Sequence, residues 1–279
     1  MDNGAVTTDA ADGSATGTAV GAAGATTGAG ATTGAGATTG AGAAAGAGAT
    51  RGLVVVGPGA AFGTALLRRF AGEGFALGMI SRSSDTISRV SAELGEAGHP
   101  IAGAVADVTD QRAFSAAVSR LAAEIGGLNV LVYNAKLSIR GTAFSVRADS
   151  MNQTLAVNVT GALMSVQIAA PLMADRPGAT ILLTVAGPRS EPAAGRFALA
   201  VGKAGVAAMG ESMAPLLAAQ GIRLRTVVID GRVGPAGPLL PDAVADHFFD
   251  AFAAPGGTAF RLAPAARRRR ANTQLPLEV

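Results

Sequence analysis

The sequence predicts an α/β fold, a doubly wound parallel sheet of about seven strands with helices on both faces. Three observations predict it. Leu53-Val54-Val55-Val56 is a continuous apolar run of the kind a strand buried on both faces shows, and it breaks into glycines before restarting as a helix. Behind it, short apolar runs alternate with segments whose apolar residues recur three or four apart, the pattern of parallel strands joined by crossover helices. The 279-residue chain also divides by composition: residues 1–50 hold no Lys, Arg or Glu, and from about Gly24 to Thr50 they cycle through Gly-Ala-Thr-Thr-Gly-Ala with a six-residue period.

The repeat tract from about Gly24 to Thr50 has no large apolar residue to bury and cannot offset its ordering entropy, so a disordered low-complexity extension is expected over 1–50. A spacer, a targeting peptide and an upstream extension compete for it. A secretory signal needs a positive n-region and an apolar core, and transit peptides are Arg-rich; neither pattern is present, so a dispensable extension and a cytoplasmic location are expected. A six-residue period also suits a β-helix, but only Ala and Thr would stack inward here. One domain over 51–263 and a basic tail over 264–279 account for the rest.

The elements follow in order. Leu53 to Val56 is the first strand and Thr64 to Phe70 lies in the first helix. Phe75 to Ile80 is a second strand; Ser83 to Leu94 is a helix stopped by Gly95 and by Gly98-His99-Pro100. Ile101 to Val105 is a third strand. Thr109-Asp110 opens a helix through Phe114, Val118, Leu121 and Ile125, ended by Gly126-Gly127, and Leu128 to Tyr133 is the fourth strand. One long helix is expected from about Asp149 to Ala174, then a strand over Ala179–Val185, a helix from about Gly195 to Ala219 and a strand over Ile222–Ile229. Pro241 to Phe252 forms a short helix and Thr258 to Leu262 a seventh strand.

Composition narrows the chemistry. The chain has no Cys, which excludes disulfides, thiol catalysis and thiolate metal sites, and two His, His99 and His247, leave no His-rich metal centre. Residues 51–279 carry 22 basic and 16 acidic side chains, because Asp2, Asp9 and Asp12 fall in the extension. Four of the bases are Arg267 to Arg270. A short charged run at a chain end reads as a solvated tail, and without neighbouring aromatics it offers no stacking platform, so nucleic acid is not expected as a partner. No uninterrupted apolar run approaches the roughly 18 residues of a membrane span, and no membrane association is expected.

The turn after the first strand, Gly57-Pro58-Gly59-Ala60-Ala61-Phe62-Gly63, feeds a helix whose free backbone N–H groups and positive dipole end suit an anion such as a dinucleotide pyrophosphate. The spacing does not meet Gly-x-Gly-x-x-Gly, so an ordinary strand-to-helix connection is the competing reading. After the second strand the chain has Ser81-Arg82-Ser83 and no acid before Asp85. An acid there bonds a ribose 2′-hydroxyl, whereas an Arg accommodates a 2′-phosphate; NADP(H) is expected in preference to NAD(H), against the alternative of a solvent-exposed loop Arg.

Taken in order, the Gly57–Gly63 turn, Asp107-Val108, Asn134-Ala135, Val157-Asn158-Val159-Thr160-Gly161 and Lys203 resemble the short-chain dehydrogenase/reductase family, over essentially all of residues 51–263. The resemblance implies a Rossmann fold and a role for each position. Gly57, Gly59, Phe62 and Gly63 would form the phosphate turn, with Ser81 and Arg82 at the ribose. Asp107 would bond the adenine ring, with Val108 lining its pocket. Asn134 and Ala135 would lie against the cofactor, Asn158 would hold a water linked to the active-site Lys, and Lys203 would bond the nicotinamide ribose. Their structural alternatives are a helix N-cap for Asp107 or Thr109, a strand-end turn for Asn134 and a solvated face for Lys203. Members of the family act on small-molecule substrates and form dimers or tetramers, so a homodimer or homotetramer is expected.

The chain departs from the family's pattern at four positions. Ala61 stands where the turn's middle glycine falls, which adds a methyl group near the cofactor's phosphates. Lys136 follows Asn134-Ala135 in place of a glycine; its ammonium would meet a cofactor phosphate or an acidic substrate, or point into solvent. Leu199, four residues before Lys203, occupies the position of the proton-delivering Tyr, and a hydrocarbon transfers no proton. Ala186 occupies the position of the substrate-orienting Ser; Thr184 and Ser190 are the nearby hydroxyls, and His247 a further candidate acid.

Two functions follow from this pattern. One is an NADP(H)-dependent oxidoreductase acting on a small carbonyl, alcohol or activated alkene, with Asn158 and Lys203 retained and water, Lys203 or another hydroxyl replacing the Tyr. The other is a non-catalytic dinucleotide-binding protein or a regulatory partner subunit. The loops Leu137–Arg147, Gly187–Gly195 and Gly231–Phe249 contain few polar groups, which suggests an apolar or small carbonyl substrate.

Overall fold

The computed structural model describes residues 51–59, 61–186 and 195–264; the extension over 1–50, Ser190 and the tail with Arg267–Arg270 lie outside the described residues. The elements run β1 (Gly52–Val56), α1 (Phe62–Ala71), β2 (Ala76–Ser81), α2 (Ser84–Glu96), β3 (Ile101–Val105), α3 (Gln111–Glu124), β4 (Val130–Tyr133), α4 (Ala148–Leu155), a π turn (Ala156–Thr160), α5 (Gly161–Leu172), β5 (Thr180–Ala186), α6 (Phe197–Ala218), β6 (Arg223–Ile229), α7 (Pro241–Ala253) and β7 (Ala259–Leu262). Every strand pairs parallel, in the order β3-β2-β1-β4-β5-β6-β7. The order reverses between β1 and β4, which opens a crevice at the carboxyl ends of those strands.

Strand alternation divides the core. Val54 and Val56 join Leu131 and Tyr133 on the face covered by α3, α5 and α6, whereas Leu53 and Val55 join Val130 and Val132 on the face covered by α1, α2 and α7. Ser83 caps α2, its hydroxyl accepting from the Thr86 N–H at 3.3 Å. α3 begins two residues later than its sequence signal, and its cap is Asp110, whose carboxylate accepts from the Ala113 N–H at 3.0 Å; neither Asp107 nor Thr109 serves as the cap.

The single long helix expected from the sequence is instead α4 and α5 joined by the π turn. Among the described residues this stretch, Ala148–Leu172, is the one helix long and apolar enough to cross a membrane, with a mean hydropathy of 1.5. In the fold its inward side chains, including Ala162, Val166 and Ala169, belong to the core. Tyr133 accompanies the irregularity: its fully buried hydroxyl donates to the Val157 carbonyl inside the π turn, and burial raises its pKa above the ordinary tyrosine range. A Cβ on Gly161 would strike the same hydroxyl.

β6 carries a side chain that its apolar run conceals. Arg225 is 2% exposed, and its guanidinium donates to the carbonyls of Ala251, of Phe252 at 3.3 Å and of Ala254 at 2.6 Å, satisfying the last turn of α7 from the sheet. On its other flank α7 meets α1 through Phe70 and Phe249, whose ring centroids are 5.2 Å apart, and through Arg69, bonded to Asp246 at 3.0 Å. α7 is thereby fixed against the sheet face that it shares with α1, its last turn beside the start of β6.

The Tyr133–Gly161 contact makes a double-mutant cycle informative. Tyr133→Phe should cost about 1–2 kcal/mol by removing a buried hydrogen bond, and Gly161→Ala should cost more in the wild type than in the Tyr133→Phe background, as read by urea denaturation. Simple additivity of the two changes would contradict the arrangement.

Candidate active site

A cavity of about 610 Å³ lies at the carboxyl ends of the central strands. It gathers most of the residues expected from the sequence: Gly57, Gly59 and Phe62 from the turn, Ser81 and Arg82 after β2, Val108 after β3, Asn134, Ala135 and Lys136 after β4, and Lys203 of α6. Gly63, Asp107 and Asn158 do not line it. Each of those three has another task in the structure.

The turn is shaped by close backbone approaches. Gly57 has φ +71°, and a Cβ on it would sit 2.5 Å from Ala135 Cα; a Cβ on Gly63 would overlap the Pro58 carbonyl. Asn134 braces the same turn, its side-chain amide donating to the Gly57 carbonyl at 2.8 Å. Gly59, also at positive φ, has no atom within 4 Å of the position a Cβ would take, so the turn leaves open space at its tip. Ala61, where the family has glycine, has φ −106° and ψ −52°, a conformation any residue adopts. Ala61 supplies no side-chain cap to α1, and the first turn of the helix holds no acid. Phe62 lines the cavity with its ring packed on Phe248, the centroids 5.1 Å apart.

Asp107 is turned into its own loop, accepting from the Thr109 N–H at 2.8 Å and the Thr109 hydroxyl at 2.7 Å. Those bonds, and more weakly the charge of Arg82, hold its carboxyl below the usual range, while its neighbours Ala106 and Val108 form the wall. Asn158 is completely buried in the π turn; its side chain accepts from the Leu137 N–H at 2.8 Å and donates to the Leu137 carbonyl at 2.9 Å. It is a positioning residue that pins the loop after β4 to the helix, with both polar ends of its amide already bonded.

Lys203 is 5% exposed and donates to the Thr184 carbonyl at 2.6 Å. Burial, followed by the charge of Lys136, brings its pKa down from 10.5 to about 8. Leu199 lines the cavity one helical turn before it, so the hydrocarbon faces the same space as the amine. The Thr184 hydroxyl is buried without a hydrogen-bond partner in the same wall. His247 lies on α7 outside the cavity lining, and the only Tyr, Tyr133, is committed to the core. The substrate loops, poor in polar groups by composition, nonetheless contribute Arg232 to the wall, and Arg196 joins it at the start of α6. Sequence reading missed both, because neither belongs to a motif and only the chain path after β6 and before α6 brings these exposed side chains to the cavity's edge.

The fold is a doubly wound α/β sheet with its cleft at the reversal of strand order, and comparison with known proteins is specific about its class. The short chain dehydrogenase family model matches residues 51–231. The chain belongs to the short-chain dehydrogenase family, whose members are oxidoreductases that bind nicotinamide dinucleotides. An uncharacterized oxidoreductase of Mycobacterium tuberculosis is 29% identical over 185 residues, covering 65% of this chain and 72% of that protein. The inactive 2-(S)-hydroxypropyl-CoM dehydrogenase 2 of Xanthobacter autotrophicus is 30% identical over 156 residues, covering 55% of this chain and 66% of the relative. Among solved structures, actinorhodin polyketide ketoreductase with NADPH shares the fold at a TM-score of 0.70 and 19% identity, over 77% of this chain and 96% of that one.

Lys203 gives the protein a stability signature. Its folded pKa of about 8 lies below the unfolded 10.5, so above pH 8 the unfolded chain holds the extra proton and stability rises with pH. The gain should approach about 1.4 kcal/mol per unit between pH 8 and 10. Denaturant melts of wild type and Lys203→Met across that range check it; the variant should lack the rise.

Proposed function

We propose that this protein is an NADP(H)-dependent oxidoreductase of small carbonyl compounds or the corresponding alcohols, or of activated alkenes, in which Lys203 delivers the proton that a Tyr delivers in the family at large. The observation that carries the cofactor preference is Arg82, exposed after β2 on the cavity wall with no Asp or Glu among the described lining residues. The open tip at Gly59 and the uncapped start of α1 suit a pyrophosphate, so the residues fit a phosphorylated dinucleotide. The turn residues Gly57, Gly59 and Phe62 would hold the diphosphate, with Gly63 and Asn134 shaping that turn; Ser81 and Arg82 would hold the 2′-phosphate, Val108 would line the adenine pocket with Asp107 shaping its loop through Thr109, and Ala135, Lys136 and Lys203 would lie at the nicotinamide end. When bound there, the cofactor would supply the hydride for the substrate carbon.

The chain's own residues supply the rest. Lys203, held by Thr184 and depressed by burial and by Lys136, is an ammonium acid matched to proton delivery near neutrality, where an ordinary Lys is too weak an acid. Its proton passes to the substrate oxygen, or to the second carbon of an alkene, and it is recharged from solvent. Its charge also stabilises oxyanion character developing before that transfer. Leu199 and Val185 exclude water beside it. Assembly as a homodimer or homotetramer and a cytoplasmic location belong to the same proposal; Leu216 on α6 is 65% exposed and suits a subunit contact.

A second reading, a dinucleotide-binding protein without turnover, is favoured by Leu199 in the cavity wall and by a relative whose name describes it as inactive. NADPH binding followed by its own emission, with no Trp background, and a turnover screen on the same sample separate the two. Reduction should decline as pH rises past about 8, where Lys203 loses its proton, and Lys203→Arg should lower kcat by about 100-fold or more. Leu199→Tyr should raise kcat; binding without turnover in both wild type and Leu199→Tyr would establish the second reading. Arg82→Ala should weaken NADPH binding about tenfold and leave NADH binding within twofold; equal effects on both would remove the cofactor preference.

A further inference from the structure

Among the described residues, the charged side chains lining the cavity are Arg82, Lys136, Arg196, Lys203 and Arg232, with no Asp or Glu. These cations fall into two groups by chain path. Arg82 follows β2, on the far side of β1, where the proposed 2′-phosphate lies. Lys136 follows β4, Arg232 follows β6, and Arg196 opens α6, so they gather over the β4-β5-β6 half of the sheet with Lys203. Arg196, Leu199 and Lys203 are spaced i, i+3 and i+7, which places them along one face of α6 from the exposed mouth to the buried floor.

Among the described residues no carboxylate pairs with Lys136, Arg196 or Arg232; the ion pairs that do form use Arg68, Arg69, Arg120 and Arg261. Arg232 makes a single long bond, 3.5 Å, to the Ala236 carbonyl. The phosphates of a bound dinucleotide do not account for this second group, since Arg82, the glycine turn and the N-terminus of α1 serve them from the other half of the crevice. Unpaired cations converging on a partly enclosed space raise one another's energy and attract an anion there. The remaining wall at this end is mostly apolar, with Leu199, Val185, Val233 and Val244, and includes Thr184 beside Lys203.

We infer that the substrate of this site carries an anionic group beyond its reacting carbon, held by Arg196 and Arg232: an oxo acid with an apolar body, or the hydroxy acid in the reverse direction. This rests on the oxidoreductase reading for the reaction but not for the binding. A guanidinium presents a planar fork that fits a carboxylate or phosphate with two bonds. This narrows the small carbonyl substrate of the proposed function to one that also carries an acid group.

Matched pairs of ligands test it: butanal and succinic semialdehyde, 2-pentanone and levulinate, acetophenone and 4-acetylbenzoate, each titrated calorimetrically into the full chain with and without saturating NADPH. In at least one pair the carboxylate should bind about tenfold more tightly than its neutral partner, as a charge-assisted hydrogen bond implies, and lose that advantage in rising salt. Arg196→Ala and Arg232→Ala should each reduce the preference several-fold, while Arg112→Ala, at an exposed position of α3, should preserve it. Equal binding within every pair, or a preference that survives the Arg196→Ala/Arg232→Ala double variant, overturns the inference. A wild type that selects carboxylates but fails to bind NADPH would uphold it and overturn the proposed function instead.

Discussion

Backbone meets backbone where β1 ends. Gly57 approaches Ala135 so closely that no side chain fits between them, and Gly63 leaves the same absence of room beneath the Pro58 carbonyl. Asn134 ties the two loops with one hydrogen bond. Because β1 and β4 are neighbours at the reversal of strand order, this contact sets the width of the crevice and the aim of α1. The cavity, its anion-facing tip and the lysines across from it all hang on that one approach.

The elements were legible in the sequence because period and burial agree. β1, completely buried, reads as an unbroken apolar run, and the helices that cover it show their inward faces at three- and four-residue spacing. The π turn was not legible, since a helix that gains one residue keeps its apolar composition and changes only which carbonyl meets which donor. Arg225 was equally hidden. One cation in a β-branched strand looks like an outward-facing side chain until α7 is known to end directly above it.

The site divides in the same way. Residues that touch a cofactor through fixed motifs could be read from spacing, and Gly57, Gly59, Arg82, Asn134 and Lys203 line one cavity. Asn158 could be located but its bonding could not, because its partner, Leu137, is a backbone amide twenty-one positions away. Arg196 and Arg232 belong to no motif and reach the cleft only through the path of their loops. The acid–base chemistry is similarly a property of assembly: nothing in Gly202-Lys203-Ala204 announces a depressed amine, which arises from burial and from Lys136, far off in the chain.

Tyr133 has a practical consequence. The chain has one Tyr and no Trp, and that Tyr sits with its hydroxyl on the π turn, beside the residue whose side chain anchors the loop after β4. Ultraviolet emission and the phenolic ring resonances of the unlabelled protein therefore originate from a single known place, at the junction of sheet and helix behind the cleft. The molecule contains its own optical reporter, blind to the surface and tuned to the one irregular turn on which the cleft's rear wall is mounted.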